Sequence, residues 1–242
     1  MRLAVSSRLL FAVILPVVCT TLASSVNAQV SENEMKATAL LNEAQSFAVA
    51  PAKALTLLDE IEANYPIPSM MPWVKLRRAQ CLMYTKKYAE AVTTAQALIE
   101  SRPNTIEATW AQVTIGQTRE AQEKYGDAVK EYLKVADMMP NRTDVTPYDT
   151  AMEGIGRIIC KDYKPESQTA PNGYIPAEQI MTKLGIDAAD NQSKGRILAA
   201  VAVKRLQENH IALGYAIYHQ IVKECPGSVV EQNWAASKLA AA

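Results

Sequence analysis

The feature of this sequence that most limits what it can fold into is a 37-residue period. Pro66, Pro103 and Pro140 fall at that spacing. Sliding the chain over itself by the same offset lays Trp73 on Trp110, Ala79 on Gly116 and Gln80 on Gln117. It also lays Tyr88 on Tyr125, Ala91 on Ala128, Val92 on Val129 and Leu98 on Val135. One step earlier, Ala54, Leu55, Leu58 and Ile61 lie under Ala91, Val92, Ala95 and Leu98, although Asn42 stands where Ala79 and Gly116 stand. A period of this length marks one supersecondary unit used several times, each copy leaning on the next.

The physics of the unit is readable. The spacing predicts a helix from about Trp73 to Lys86 and a second from about Tyr88 to Ser101. Small residues at Ala79, Gly116, Ala91 and Ala128 let paired helices approach closely, while Leu82, Tyr88 and Leu98 fill the space between them. Proline ends the second helix because it cannot continue the hydrogen-bond ladder. Neither helix can bury its apolar stripe alone, so stability has to come from stacking hairpin on hairpin.

The unit resembles the tetratricopeptide repeat, with a small residue at its eighth position, an aromatic at its seventeenth, alanine at its twentieth and proline at its thirty-second. Lys86-Lys87-Tyr88-Ala89-Glu90-Ala91 and Lys124-Tyr125-Gly126-Asp127-Ala128 carry the likeness most clearly. The period exceeds the family's usual ~34 residues. With Asn64-Tyr65-Pro66 and Arg102-Pro103-Asn104 at its joints, it is similar to repeats of bacterial envelope proteins, namely outer-membrane assembly lipoproteins and the coordinator associated with the Tol-Pal system. The resemblance implies an all-α, right-handed α-solenoid of about five hairpins with a C-terminal capping helix. It is clear over residues 36–140 and degenerate over 141–242. There, Tyr148, Gly154 and Tyr163 keep the register with one residue inserted. A Pro/Ser/Asn/Gly-rich insertion, Lys164 to Pro176, precedes a helix of about Ala177 to Leu184, which Gly185 ends. A fifth hairpin uses Ala202, Gly214 and Tyr218 and closes at Pro226, and a helix from about Val229 to Ala240 caps the stack with Trp234.

Residues 1–28 are of another kind. Arg2 and Arg8, an apolar run from Leu9 to Val18 and Val26-Asn27-Ala28 compose a secretory signal peptide cleaved after Ala28. The apolar run falls short of the ~20 residues of a membrane span. Residues 29–242 then carry 23 basic and 25 acidic residues, a net charge of −2 that offers no electrostatic case for nucleic acid. A periplasmic or secreted location follows. Cys81, Cys160 and Cys225 remain, an odd and sparse set that reads as core thiols, with a Cys160–Cys225 bridge as the alternative.

The search for chemistry finds little. His210 and His219 would stand on opposite sides of one helix and so could not share a metal. Zinc-protease, nucleophile-elbow, redox and phosphate-loop patterns are absent. Gly154-Ile155-Gly156 lacks the strand that a dinucleotide fingerprint needs, and helix packing explains it better. No cofactor, metal or catalytic set is expected.

Binding is the better expectation. The resemblance implies a concave face lined by the first helix of each unit. On this chain that gives Trp73, Leu76, Gln80 and Met83, then Trp110, Val113, Gln117 and Glu120, preceded by Lys36, Ala39, Glu43 and Ser46. Arg77 lies on the same stretch, within a run (Lys75, Arg77, Arg78, Lys86, Lys87) that has no acidic residue between Glu62 and Glu90. Asp59, Glu60 and Glu62 are expected to balance this run in the stack. A repeated tryptophan beside a repeated amide suits an extended peptide of a protein partner; alternatively, both tryptophans merely pack between hairpins. The carboxylate clamp of chaperone-binding members is missing, since Ala39, Glu43, Trp110 and Thr114 occupy its positions. A structural subunit of an envelope assembly is the other reading. The glycosylation-like triplets Asn141-Arg142-Thr143 and Asn191-Gln192-Ser193 are expected to be idle in a bacterial chain.

Overall fold

The structure is a computed structural model that describes residues 32–138, 145–162 and 190–241. The signal sequence, the triplet at 141–143, Tyr163, the insertion at 164–176 and the expected helix at 177–184 lie outside the described residues. The described residues form helices and turns and no strand. We number the helices α1 (32–43, extended by a 3-10 turn Ala44–Ala48), α2 (Pro51–Asn64), α3 (Met71–Tyr84), α4 (Tyr88–Ser101), α5 (Ile106–Ala121), α6 (Tyr125–Asp137), α7 (Thr146–Asp162), α8 (Asn191–Gln207), α9 (Ile211–Glu224) and α10 (Val229–Ala240). No described helix is long and apolar enough to cross a membrane.

The helix ends show why the chain breaks where it does. Pro51 and Pro72 occupy the first turns of α2 and α3, where the missing N–H costs nothing. Thr105 caps α5 by accepting the Ala108 N–H, and Asp190 caps α8 by accepting that of Ser193. In three hairpins, α3–α4, α5–α6 and α8–α9, the turn is made by one residue in the left-handed region: Lys86 (φ 62°), Glu123 (φ 61°) and Asn209 (φ 65°). The N–H groups of Lys87, Lys124 and His210 then reach back to the carbonyls of Leu82, Arg119 and Arg205. That is the six-to-one bond by which helices commonly end at such a residue. Because Lys86 turns out of the helix, α3 ends at Tyr84 and not at Lys86 as the spacing predicts.

The first hairpin lacks this turn. One period before Lys86 stands Val49, and a β-branched residue is poorly suited to positive φ. Val49 stays at φ −96°, and the 3-10 segment Ala44–Ala48 makes the reversal instead. The weak sequence match of the first unit has this structural counterpart.

The helices stack in chain order as an α-solenoid. α3, α5, α7, α8 and α10 each touch the next, forming one row; α2, α4, α6 and α9 pack on that row and make no comparable contacts with one another. In a curved stack the row in mutual contact lies on the inside of the bend, so α3, α5, α7, α8 and α10 line the concave face. The core follows the stack as three successive apolar clusters, and Trp110 packs against both the second and the third.

Tyr132, on α6, is among the largest fully buried side chains and lies at the joint between the third and fourth units. Its ring lies between two helix glycines. A Cβ added to Gly116 on α5 would come 2.5 Å from Tyr132 Cδ1, and one added to Gly154 on α7 would come 2.6 Å from Cε2. A Cβ on Gly156 would meet Ala200 of α8 at 2.8 Å. The Gly154-Ile155-Gly156 triplet is therefore a packing device, with one glycine facing α6 and the other α8. The three described cysteines are buried and free, so the Cys160–Cys225 bridge is not formed and the thiols serve as core residues. In the second triplet, the Asn191 side chain donates to the Pro226 carbonyl.

Candidate binding face

On α3, Trp73, Arg77, Gln80 and Tyr84 are spaced to form one stripe. Trp73 is half-buried and rests against the cluster of Leu76, Ala79, Ala95, Leu98, Ala111 and Ile115. Gln80 is only 7% exposed, and its Oε1 accepts from Arg77 Nη1 at 2.8 Å. Met83 is half-buried, and Tyr84 is 47% exposed. On α5, Trp110 and Gln117 repeat the pattern. Trp110 is half-buried, and the Gln117 amide is half-buried with no hydrogen bond among the described residues. The tryptophans thus have one side against the core and the rest toward solvent.

Three expected lining residues are placed otherwise. Leu76 and Val113 are 1% and 0% exposed and belong to the core between helices. They fill the joint and cannot meet a partner. Glu120 is engaged inside the stack: its Oε2 accepts from Tyr132 Oη at 2.7 Å and from Arg157 Nη2 at 3.1 Å. Burial, followed by the Glu120 charge, pushes the Tyr132 phenol far above its ordinary pKa. In the first unit, Lys36 pairs with Glu32, and Glu43 pairs with Lys53.

The basic run divides sharply at two adjacent residues. Arg78 donates to Asp59 Oδ1 at 2.7 Å and pairs with Glu62 at 3.1 Å, the balance that the sequence predicts. Although burial works against its charge, these carboxylates hold the Arg78 pKa above the usual arginine value. Arg77 has no carboxylate partner among the described residues. Its guanidinium carbon lies 4.9 Å from the centre of the Phe47 ring, itself 5.7 Å from the Tyr84 ring. Burial draws its pKa below the ordinary value, opposed only by the Cys81 thiol.

Farther along the same row the sequence reading missed a groove. A cavity of about 610 Å³ opens between α7, α8 and α10, lined by Arg157, Ala200, Val203, Lys204, Val230 and Trp234 among others. Its cations are already paired: Arg157 with Glu120, Arg196 with Asp149, and Lys204 with Glu208. The Trp234 ring meets Tyr218 edge-on at 5.0 Å. Carrying the inner-row register past residue 145 would have pointed here. No group of histidine, cysteine and acidic side chains suited to a metal ion occurs among the described residues.

Residues 74–105, the second hairpin, match the family model of the tetratricopeptide repeat, which supports a tetratricopeptide repeat protein. No curated protein and no solved structure matches the chain.

Proposed function

We propose that this protein is an exported scaffold that holds an extended segment of a protein partner along the concave face of its helical stack. Tetratricopeptide repeats in general mediate protein–protein interaction, and the second hairpin carries that family's pattern. The observation that carries the reading is a half-buried tryptophan followed, seven residues on, by an amide with hydrogen-bonding capacity to spare, at the same place on two adjacent inner helices. The rings offer apolar area already held by the core, and the amides of Gln80 and Gln117 offer bonds to a peptide backbone. Packed helices lie about 8–10 Å apart and extended chain advances about 3.3 Å per residue, so the two subsites accept groups about three residues apart.

The sequence of residues 1–28 supports export to the periplasm, and N-terminal sequencing of the mature product is expected to begin at Gln29. The long period favours the envelope-type repeat. A second reading, a structural subunit of an envelope assembly, is favoured by Val222, Val229 and Val230, exposed at the C-terminal end of the stack. It predicts co-purification with membranes through that end, independent of the tryptophans.

The test of the first reading is truncation of Trp73 and Trp110 to alanine. Since each ring is partly exposed, each loss is expected to cost less than the about 3–5 kcal/mol of a fully buried aromatic. Capture of display-selected peptides should vanish in both folded variants. Equal unfolding of the two variants, with capture unchanged in whatever stays folded, would leave the rings as packing alone.

A further inference from the structure

Arg77 and Arg78 are neighbours in sequence, yet the fold treats them in opposite ways. Arg78 turns to α2 and is neutralised by Asp59 and Glu62. Arg77 is partly desolvated on the inner side with only neutral company: its guanidinium carbon lies over the Phe47 ring, and its Nη1 donates to the Gln80 carbonyl oxygen. Removing a cation from water without a counter-charge is unfavourable; Arg157 and Arg196 of the inner row each hold a carboxylate, while Arg119 of α5, like Arg77, bonds only an amide among the described residues. A guanidinium offers five N–H donors in one plane, and a contact with an aromatic ring consumes none of them, so they stay available to a carboxylate in bidentate geometry. One bond to Gln80 uses a single donor. The contacts with Phe47 and Gln80 fix the group's position, so little freedom remains to be lost when an anion arrives.

We infer that Arg77 is a charge-reading subsite of the inner face, taking the side-chain carboxylate of an aspartate or glutamate in the bound segment. This rests on the peptide-binding reading and narrows it. Trp73, one turn before Arg77, and Tyr84, two turns after it, flank the subsite with aromatic surface. The acidic residue of the partner therefore sits between apolar neighbours. On α5 the equivalent of Arg77 is Thr114, which is fully buried and donates to the Trp110 carbonyl at 2.9 Å. The charge is read at one unit and not along the whole face.

The experiment selects peptides from a random display library on the full protein and on Arg77→Met, a variant of similar side-chain length. The wild type is expected to enrich Asp or Glu at one position, and Arg77→Met is expected to lose that enrichment while still capturing peptides. A selected peptide and its twin, with that residue changed to Asn or Gln, are then compared by calorimetry. The wild type should prefer the acid by tenfold or more, and Arg77→Met by less than twofold. Phe47→Leu keeps the cation and should keep the preference with weaker binding. Melting curves of both variants exclude unfolding as the cause.

Enrichment without any acidic position, or an acid preference that survives in Arg77→Met, overturns the subsite and leaves the peptide face standing. Failure of the wild type to capture any peptide removes the peptide face and the subsite with it. Self-association that Arg77→Met abolishes would assign the carboxylate to a second copy of the chain and overturn the inference as stated.

Discussion

Ala79 and Ala95 are both fully buried in one cluster of the second hairpin; one period later the same two positions hold Gly116 and Tyr132. The turns of these two hairpins are alike, with Lys86 and Glu123 at nearly the same φ, and α4 and α6 begin at the equivalent Tyr88 and Tyr125. Volume has moved from the inner helix to the outer one while the backbone design stayed. The consequence reaches the next unit. The larger ring extends to Gly154 on α7, and its hydroxyl draws Glu120 and then Arg157 into one network. The third hairpin is locked to the fourth by an aromatic and a polar tie. The second is joined to the third by small and aliphatic groups with the partly exposed Trp73 and Trp110 packed against them and no polar tie like that of Glu120, and its polar side chains Arg77 and Gln80 are left facing inward. Where the stack consumes its polar groups internally none is left over; where it does not, they remain on the inner face, to which we assign the partner.

The difference can be broken most forcefully at Tyr132. Tyr132→Ala should cost about 3–5 kcal/mol in urea denaturation, since two glycines and a helix joint lose their filler. Ala95→Gly, at the equivalent site, should cost only about 1 kcal/mol. Gly116→Ala presses a methyl into the ring and should cost about 1–3 kcal/mol. Combined with Tyr132→Ala, which gives the third hairpin the filling of the second, it should cost less than the sum of the two single changes.

Tyr132→Phe keeps the ring and removes one bond to a carboxylate that Arg157 still holds, a loss of about 1–2 kcal/mol. It also carries a pH signature. The folded phenol titrates far above its unfolded value. Its contribution is therefore complete below the unfolded tyrosine value, ~10, and is lost as pH rises beyond it. The wild type should lose stability above that pH more steeply than Tyr132→Phe. The smallest effect has the opposite sign. Gly126, in the first turn of α6, has nothing within 4 Å of an added Cβ, and Ala89 stands there one unit earlier. Gly126→Ala should stabilise by about 0.5–1 kcal/mol.

Much of the fold was legible because stacking imposes a period that sequence records directly. α4 and α10 occur at the expected bounds, and the fifth hairpin closes at Pro226 as expected. The end of α3 was misread because its left-handed residue is a lysine, with no glycine to announce it. The first turn departs because Val49 occupies that position. The candidate face was less legible, for a physical reason: a helical stripe identifies a side and does not say how far a neighbouring helix covers it. Leu76 and Val113 fell under that cover. Glu120 was taken by partners 12 and 37 residues away, a distance no local pattern expresses. The opposite fates of Arg77 and Arg78 were equally hidden, because they depend on which residues α2 and the 3-10 turn present.

The central claim is that the inner face receives a partner through Trp73 and Trp110. Indole N–H resonances of the isotopically labelled protein, followed during titration with a display-selected peptide, test it most directly. Trp73 and Trp110 are expected to shift together and saturate at one stoichiometry. A bound peptide that leaves both unmoved while Trp234 alone responds would contradict it and move the site to the groove between α7, α8 and α10.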